Sequence, residues 1–126
     1  MEIIYLLELE FNIWYRIGMQ DCIFCKIVSG QMETTFLYED DQVVAFKDVH
    51  PQKPVHLLVI PKEHIKEFSL LEEDAVLVSV RKAIQTLILE NKLQDDGYRI
   101  EVNGGGAQLV DHLHFHLLGP MSKPVV

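Results

Sequence analysis

The run Asp111-His-Leu-His-Phe-His-Leu-Leu-Gly119 alternates imidazole with apolar side chains, and it constrains the fold more than any other stretch of the chain. Side chains two residues apart in a strand point the same way, so His112, His114 and His116 share one face while Leu113, Phe115 and Leu117 share the other. The apolar face belongs in a core. The opposite face carries three groups that accept, donate or attack near neutral pH. A half-buried strand with satisfied imidazoles would show the same alternation, but packing alone gives no reason for three of them.

The flanking sequence supplies partners for such a strand. Phe24 to Ser29 reads as a short helix, and Val43 to Asp48 as a strand after the acidic turn Glu39-Asp-Asp41. Val55 to Pro61 is a continuous apolar run bracketed by prolines, the mark of a central strand. Ser69-Leu-Leu-Glu72 has the form of a capping box. It is expected to open a long helix reaching about Lys92, with Ala75, Val76, Val80, Ala83, Ile84, Leu87 and Ile88 as its apolar stripe. Asp95-Asp-Gly97 turns the chain into a strand from Tyr98 to Val102, and Asn103-Gly-Gly-Gly106 makes a tight loop before the histidines. The sum is an α+β architecture, an antiparallel sheet covered by one long helix rather than a doubly wound fold.

A chain of 126 residues, 48% of them hydrophobic, can bury one core. Its net charge of −8 excludes the usual nucleic-acid partner, since neutralising a phosphate backbone needs clustered Lys and Arg. No apolar run reaches membrane-spanning length, so neither a membrane nor a nucleic acid is an expected partner. Cys22 and Cys25 form a Cys-x-x-Cys pair, which by itself fits a zinc site, a redox pair or two small hydrophobes equally well. Residues 1–18 read apart from residues 19–126, which form the single domain. The segment lacks the basic start and cleavage site of a signal peptide. Either Ile3, Leu7, Phe11 and Trp14 make an amphipathic stripe that docks on the body or a partner, or Met19 is the true start; the second reading is preferred.

Gly104, Gly105 and Gly106 allow backbone N–H groups to approach an anion, with amides at Asn103 and Gln108 on either side. A glycine run is more often a plain turn, but this one leads into three histidines. From Asp21 to Gly119 the chain resembles the histidine triad superfamily of nucleotide hydrolases and transferases, and in particular its small purine nucleoside phosphoramidase branch. The resemblance rests on Cys22-Ile-Phe-Cys-Lys-Ile27, Tyr38-Glu-Asp40, Ala45-Phe-Lys-Asp48, Pro51 with Pro54-Val-His56, Val59-Ile-Pro-Lys62 with His64, Gly97-Tyr-Arg99, Asn103, Gln108 and the histidine run.

That resemblance implies a five-stranded antiparallel sheet with one long helix and a short N-terminal helix. It implies a homodimeric, cytoplasmic hydrolase that cleaves at the α-phosphate of a purine nucleotide through a nucleotidyl-histidine. His114 corresponds to the nucleophile, and His116 to a group on the phosphate or the leaving atom. His56 corresponds to a histidine supporting the triad, although a satisfied strand histidine is nearly as good a reading. Cys22, Cys25, His64 and His112 correspond to a closed zinc set, with no position left for substrate. Asp48 matches the ribose-binding carboxylate. Ile23, Phe24, Ile27, Phe46 and Val49 match the base pocket, with plain core as the competing reading for Ile23 and Ile27. A dinucleoside polyphosphate hydrolase or nucleotidyl transferase, a catalytically weak nucleotide-binding or interaction module, and a zinc-binding structural protein are the alternatives. Three departures bear on them: Leu109 stands where many relatives carry Ser or Thr, Ala107 replaces a glycine, and the loop is about two residues short. His50 is assigned no role.

Overall fold

The computed structural model describes residues 21–123; the stripe of Ile3, Leu7, Phe11 and Trp14 lies outside the described residues. In chain order the elements are helix α1 (Ile23–Ser29), strands β1 (Tyr38–Glu39), β2 (Val43–Lys47) and β3 (Val55–Pro61), a 3-10 turn (Phe68–Leu70), helices α2 (Asp74–Glu90) and α3 (Leu93–Asp96), and strands β4 (Arg99–Val102) and β5 (Phe115–Gly119). The five strands form one antiparallel sheet in the order β1-β2-β3-β5-β4, so the apolar run Val55–Pro61 is indeed the middle strand.

Strand alternation divides the interior into two cores. Val43, Ala45, Leu57, Val59, Phe115 and Leu117 face α2, whose Val76, Val80, Ala83, Ile84, Leu87 and Ile88 form the matching stripe. Val44, Phe46, Leu58 and Ile60 face the other way and are covered by α1 through Cys22, Phe24, Cys25 and Ile27. β2 and β3 are therefore buried on both faces, which explains their unbroken apolar sequence.

Several expected boundaries move. The capping box does not start the long helix: Ser69 lies in the 3-10 turn, where its N–H and hydroxyl both bond to Glu67. α2 begins at Asp74, and Ala75 in its first turn is exposed rather than part of the stripe. The reason is local: the Ser69 N–H and hydroxyl both donate to the Glu67 carboxylate, so the side chain turns back to Glu67 instead of accepting from a helix N3 amide. Strand β5 begins only at Phe115, so His112 lies in a bend and His114 in the irregular segment that leads into the strand. There Leu113 N–H bonds to Ile65 O at 2.6 Å, holding the segment against the chain that leaves β3. The two-residue edge strand β1 has no separate signal in the sequence.

Candidate active site and metal centre

The first turn of α1 builds one cluster. Cys22 is the N-cap, its Sγ accepting from Cys25 N–H at 3.4 Å, and a three-residue spacing on a helix brings both sulfurs to one side. His64 Nδ1 lies 3.2 Å from Cys25 Sγ, while His112 Nδ1 lies 3.4 Å from Cys22 Sγ and 3.5 Å from Cys25 Sγ. All four donor atoms fall within 4.8 Å of one another. Tetrahedral zinc with ordinary Zn–S and Zn–N bonds separates sulfur from nitrogen by about 3.6 Å, so the set fits the ion.

Tautomers support the same reading. His112 Nε2 is 2.8 Å from Pro61 O, so its N–H donates to that carbonyl and Nδ1 turns its lone pair toward the sulfurs. Burial holds the His112 imidazole down at about 4, keeping it neutral, and burial together with Cys22 pushes the Cys25 thiol up to about 12. Without a cation the pair is favoured as neutral thiols, and a dication would supply the charge that holds both sulfurs as thiolates.

His114, His116 and His56 gather on the side of the sheet that α1 covers. His114 is buried beneath Phe24, whose ring meets it edge-on with centroids 5.1 Å apart. His114 Nδ1 donates to His112 O at 2.8 Å, leaving Nε2 with a free lone pair. The His116 ring is 5.0 Å from that of His114.

His56, Asp48 and His116 also cluster closely enough to hold a metal, but hydrogen-bond polarity argues against one. Gln52 N–H donates to His56 Nδ1 at 3.1 Å, which places the proton of neutral His56 on Nε2, the atom facing the cluster. That N–H reaches His116 Nδ1 at 2.9 Å, with Asp48 Oδ2 3.3 Å from the same nitrogen. His116 therefore accepts at Nδ1 and carries its own proton on Nε2. Burial, followed by the His114 and His56 rings, holds its pKa below the ordinary value, so the neutral donor form is favoured.

The residues matched to nucleoside binding separate by exposure. Val49 is 84% and Ile23 42% exposed, free to touch a ligand, whereas Phe24 and Phe46 are interior and in edge contact with one another. Ile27 is also core. Asp48 is fixed by the turn it begins, with Oδ1 accepting from His50 N–H at 2.8 Å.

Around the glycines the structure differs from an open anion cradle. Gln108 is buried, its Oε1 accepting from Gly106 N–H at 3.2 Å and its Nε2 donating to Lys66 O at 3.3 Å. Ala107 N–H is taken by Gly104 O. Glu67, held below the usual carboxylate range chiefly by Ser69, also accepts from Gly105 N–H. The Gly105, Gly106 and Ala107 N–H groups are thus spent on the chain itself. Asn103 remains exposed, and Leu109 is fully exposed to solvent.

Sequence reasoning missed the tautomer-setting N–H of Gln52 and the carboxylate of Glu101. The first is a backbone group with no residue signature. The second stands directly opposite His116 only because of the β4–β5 register.

Comparison with known proteins agrees with this geometry. Residues 21–125 match the family described as scavenger mRNA decapping enzyme C-terminal binding. A 14 kDa zinc-binding protein of Brassica juncea is 40% identical over 104 residues, covering 79% of this chain and 92% of that protein. Among solved structures, a HIT family hydrolase from Legionella pneumophila superposes with a TM-score of 0.75 at 38% identity, covering 81% of this chain and 95% of its own. A histidine triad nucleotide-binding protein from Candida albicans gives a TM-score of 0.72 at 31% identity, covering 84% and 85%. With its imidazoles arrayed on one sheet face and relatives of hydrolase and nucleotide-binding kinds on the same fold, the chain belongs to the histidine triad, or HIT-like, superfamily.

Proposed function

We propose that the protein hydrolyses purine nucleoside phosphoramidates or related nucleotides at the α-phosphorus, with His114 as the nucleophile. The observation that carries this reading is the His114 Nδ1 bond to His112 O at 2.8 Å, which leaves a buried imidazole with a reactive Nε2. In the first step the Nε2 lone pair forms a bond to phosphorus. The phosphorus–nitrogen bond breaks with its electron pair passing to nitrogen, which has taken a proton from solvent and departs as an amine. Water then attacks phosphorus, the pair returns to His114, a proton is released, and the nucleoside monophosphate leaves. His116 Nε2–H donates to a phosphoryl oxygen or the leaving atom, with His56 holding it in that tautomer. Asp48 receives the ribose hydroxyls, with Ile23 and Val49 against the base.

Zinc at Cys22, Cys25, His64 and His112 has a structural role in this reading, because four protein ligands leave no open position. When bound it would neutralise the thiolates and hold α1 to the approach to β5. His114→Ala should lower kcat by at least a thousandfold while the chain stays folded and keeps its zinc content, with a lower melting temperature because a buried ring and its bond to His112 O are lost. A variant keeping more than a few per cent of activity would exclude His114 as nucleophile.

One observation favours a second reading, that of a nucleotide-binding module with weak turnover. The Gly105, Gly106 and Ala107 N–H groups are engaged within the chain, and Leu109 cannot donate where relatives carry a hydroxyl. Binding of adenosine monophosphate together with no nucleotidyl-histidine formed from adenosine phosphoramidate would establish that alternative.

A further inference from the structure

Strand register lays out the active face in rows. Asp48 N–H bonds to His56 O, and His56 is then followed across β5 and β4 by Leu118 and Arg99. In the next row Phe46, Leu58, His116 and Glu101 stand side by side. One flank holds the ribose carboxylate and the aromatic floor. The other, on edge strand β4, holds a charged pair: Arg99 Nε lies 3.0 Å from Glu101 Oε1, with side-chain exposures of 51% and 41%.

We propose that Glu101 sets which leaving group the site accepts, favouring a cationic amine over an anionic phosphate chain. This assignment rests on the activity proposed above. Directly opposed residues of an antiparallel pair have Cβ atoms about 5 Å apart, so the Glu101 carboxylate is a neighbour of the His116 imidazole on its face. His116 Nδ1 is occupied by His56, and its free Nε2–H marks where phosphorus and the departing atom meet. Arg99 takes only Oε1 of Glu101, and the other carboxylate oxygen has no partner among the described residues.

A phosphoramidate reacts once its nitrogen is protonated, so positive charge is present at the leaving atom before the bond breaks, and a nearby carboxylate lowers the free energy of that form. Diadenosine polyphosphate instead expels a chain of negative charges past the same carboxylate, which Coulomb repulsion disfavours. The charge of Glu101 is felt at His116: with Asp48 it opposes the burial and the two imidazoles that keep that ring neutral. A carboxylate at this position therefore separates the two enzymatic alternatives by a property of the chain itself.

The test compares kcat/KM for three substrates: an adenosine 5′-phosphoramidate of a diamine, one of an uncharged-tail amine, and diadenosine tetraphosphate. In Glu101→Gln the ratio of diamine to tetraphosphate should fall about tenfold, the size expected of one charge partly screened by water. Glu101→Asp should retain the wild-type preference, and Arg99→Gln should strengthen it by freeing the carboxylate from its partner. Melting temperatures confirm folding, which these exposed side chains leave intact. Turnover with an unchanged ratio in Glu101→Gln and in Arg99→Gln overturns the role of Glu101 alone. Absence of a nucleotidyl adduct on wild-type His114 with all three substrates overturns the activity, and this assignment with it.

Discussion

Replacing Cys22 with Ser separates the metal-binding role proposed for this sulfur from its role as a helix cap. The sulfur accepts from Cys25 N–H at the start of α1, and Ser is a preferred residue for that contact, so the cap survives the exchange. What is lost is one thiolate of a set whose sulfur–nitrogen distances of 3.2 to 3.5 Å suit tetrahedral zinc. An ion that binds only the folded chain stabilises it by about 4 kcal/mol when its free concentration is a thousand times its Kd. For a domain of this size about 1 kcal/mol moves Tm by roughly 3–5 °C, so losing zinc should lower Tm by about 12–20 °C. The chain should remain folded, because the core between the sheet and α2 shares none of these four residues. Turnover should fall as well, since the His112 carbonyl that orients His114 belongs to a residue whose ring would be a ligand. Metal analysis and thermal melts of wild type, chelated wild type and Cys22→Ser decide the matter. If chelation removes zinc without moving Tm, or the variant keeps stoichiometric zinc, the centre does not stabilise the fold in this way.

Two further outcomes follow from the site. His116 has a folded pKa held below its unfolded value, so its contribution to stability is present above about pH 6.5 and is lost as pH falls through the folded value; Tm measured from pH 7.5 downward should drop in that window, and His116→Asn should flatten the slope. Leu109→Ser should change stability by no more than about 0.5 kcal/mol, because the leucine side chain is wholly exposed. If this position faces the phosphate, the new hydroxyl should lower KM severalfold with little change in kcat. An unchanged KM would mean the shortened loop places the anion elsewhere.

What could be read from the chain in advance, and what could not, divides along the range of the forces involved. β3 ends where its prolines say, and the stripe of α2 is correct from Val76 to Ile88, because burial on one face imprints a period that survives in the residues. The helix start was misread for an equally local reason. Ser69 does bond to a glutamate, but to Glu67 behind it rather than Glu72 ahead, and composition cannot reveal which acceptor a hydroxyl will choose. β1 is too short to leave any period at all.

The chemistry divides in the same way. Side chains that act as ligands or nucleophiles are visible as residue types, so all four members of the Cys/His cluster could be named before their geometry was known. Protonation is different, because it depends on which partner each ring nitrogen meets. His112 and His56 look equivalent in sequence, yet one offers its second nitrogen to a carbonyl and the other to an amide N–H. The first is thereby prepared to bind a cation. The second is prepared to hold a proton and point it at His116, so two similar clusters 4.8 Å or less across differ in hydrogen-bond polarity. Glu101 needs one further level: neither its identity nor its neighbours in the chain connect it to His116, and only the register of the edge strand does. A substitution that slipped β4 by one residue would turn that carboxylate to the opposite face, altering leaving-group preference with every histidine still in place.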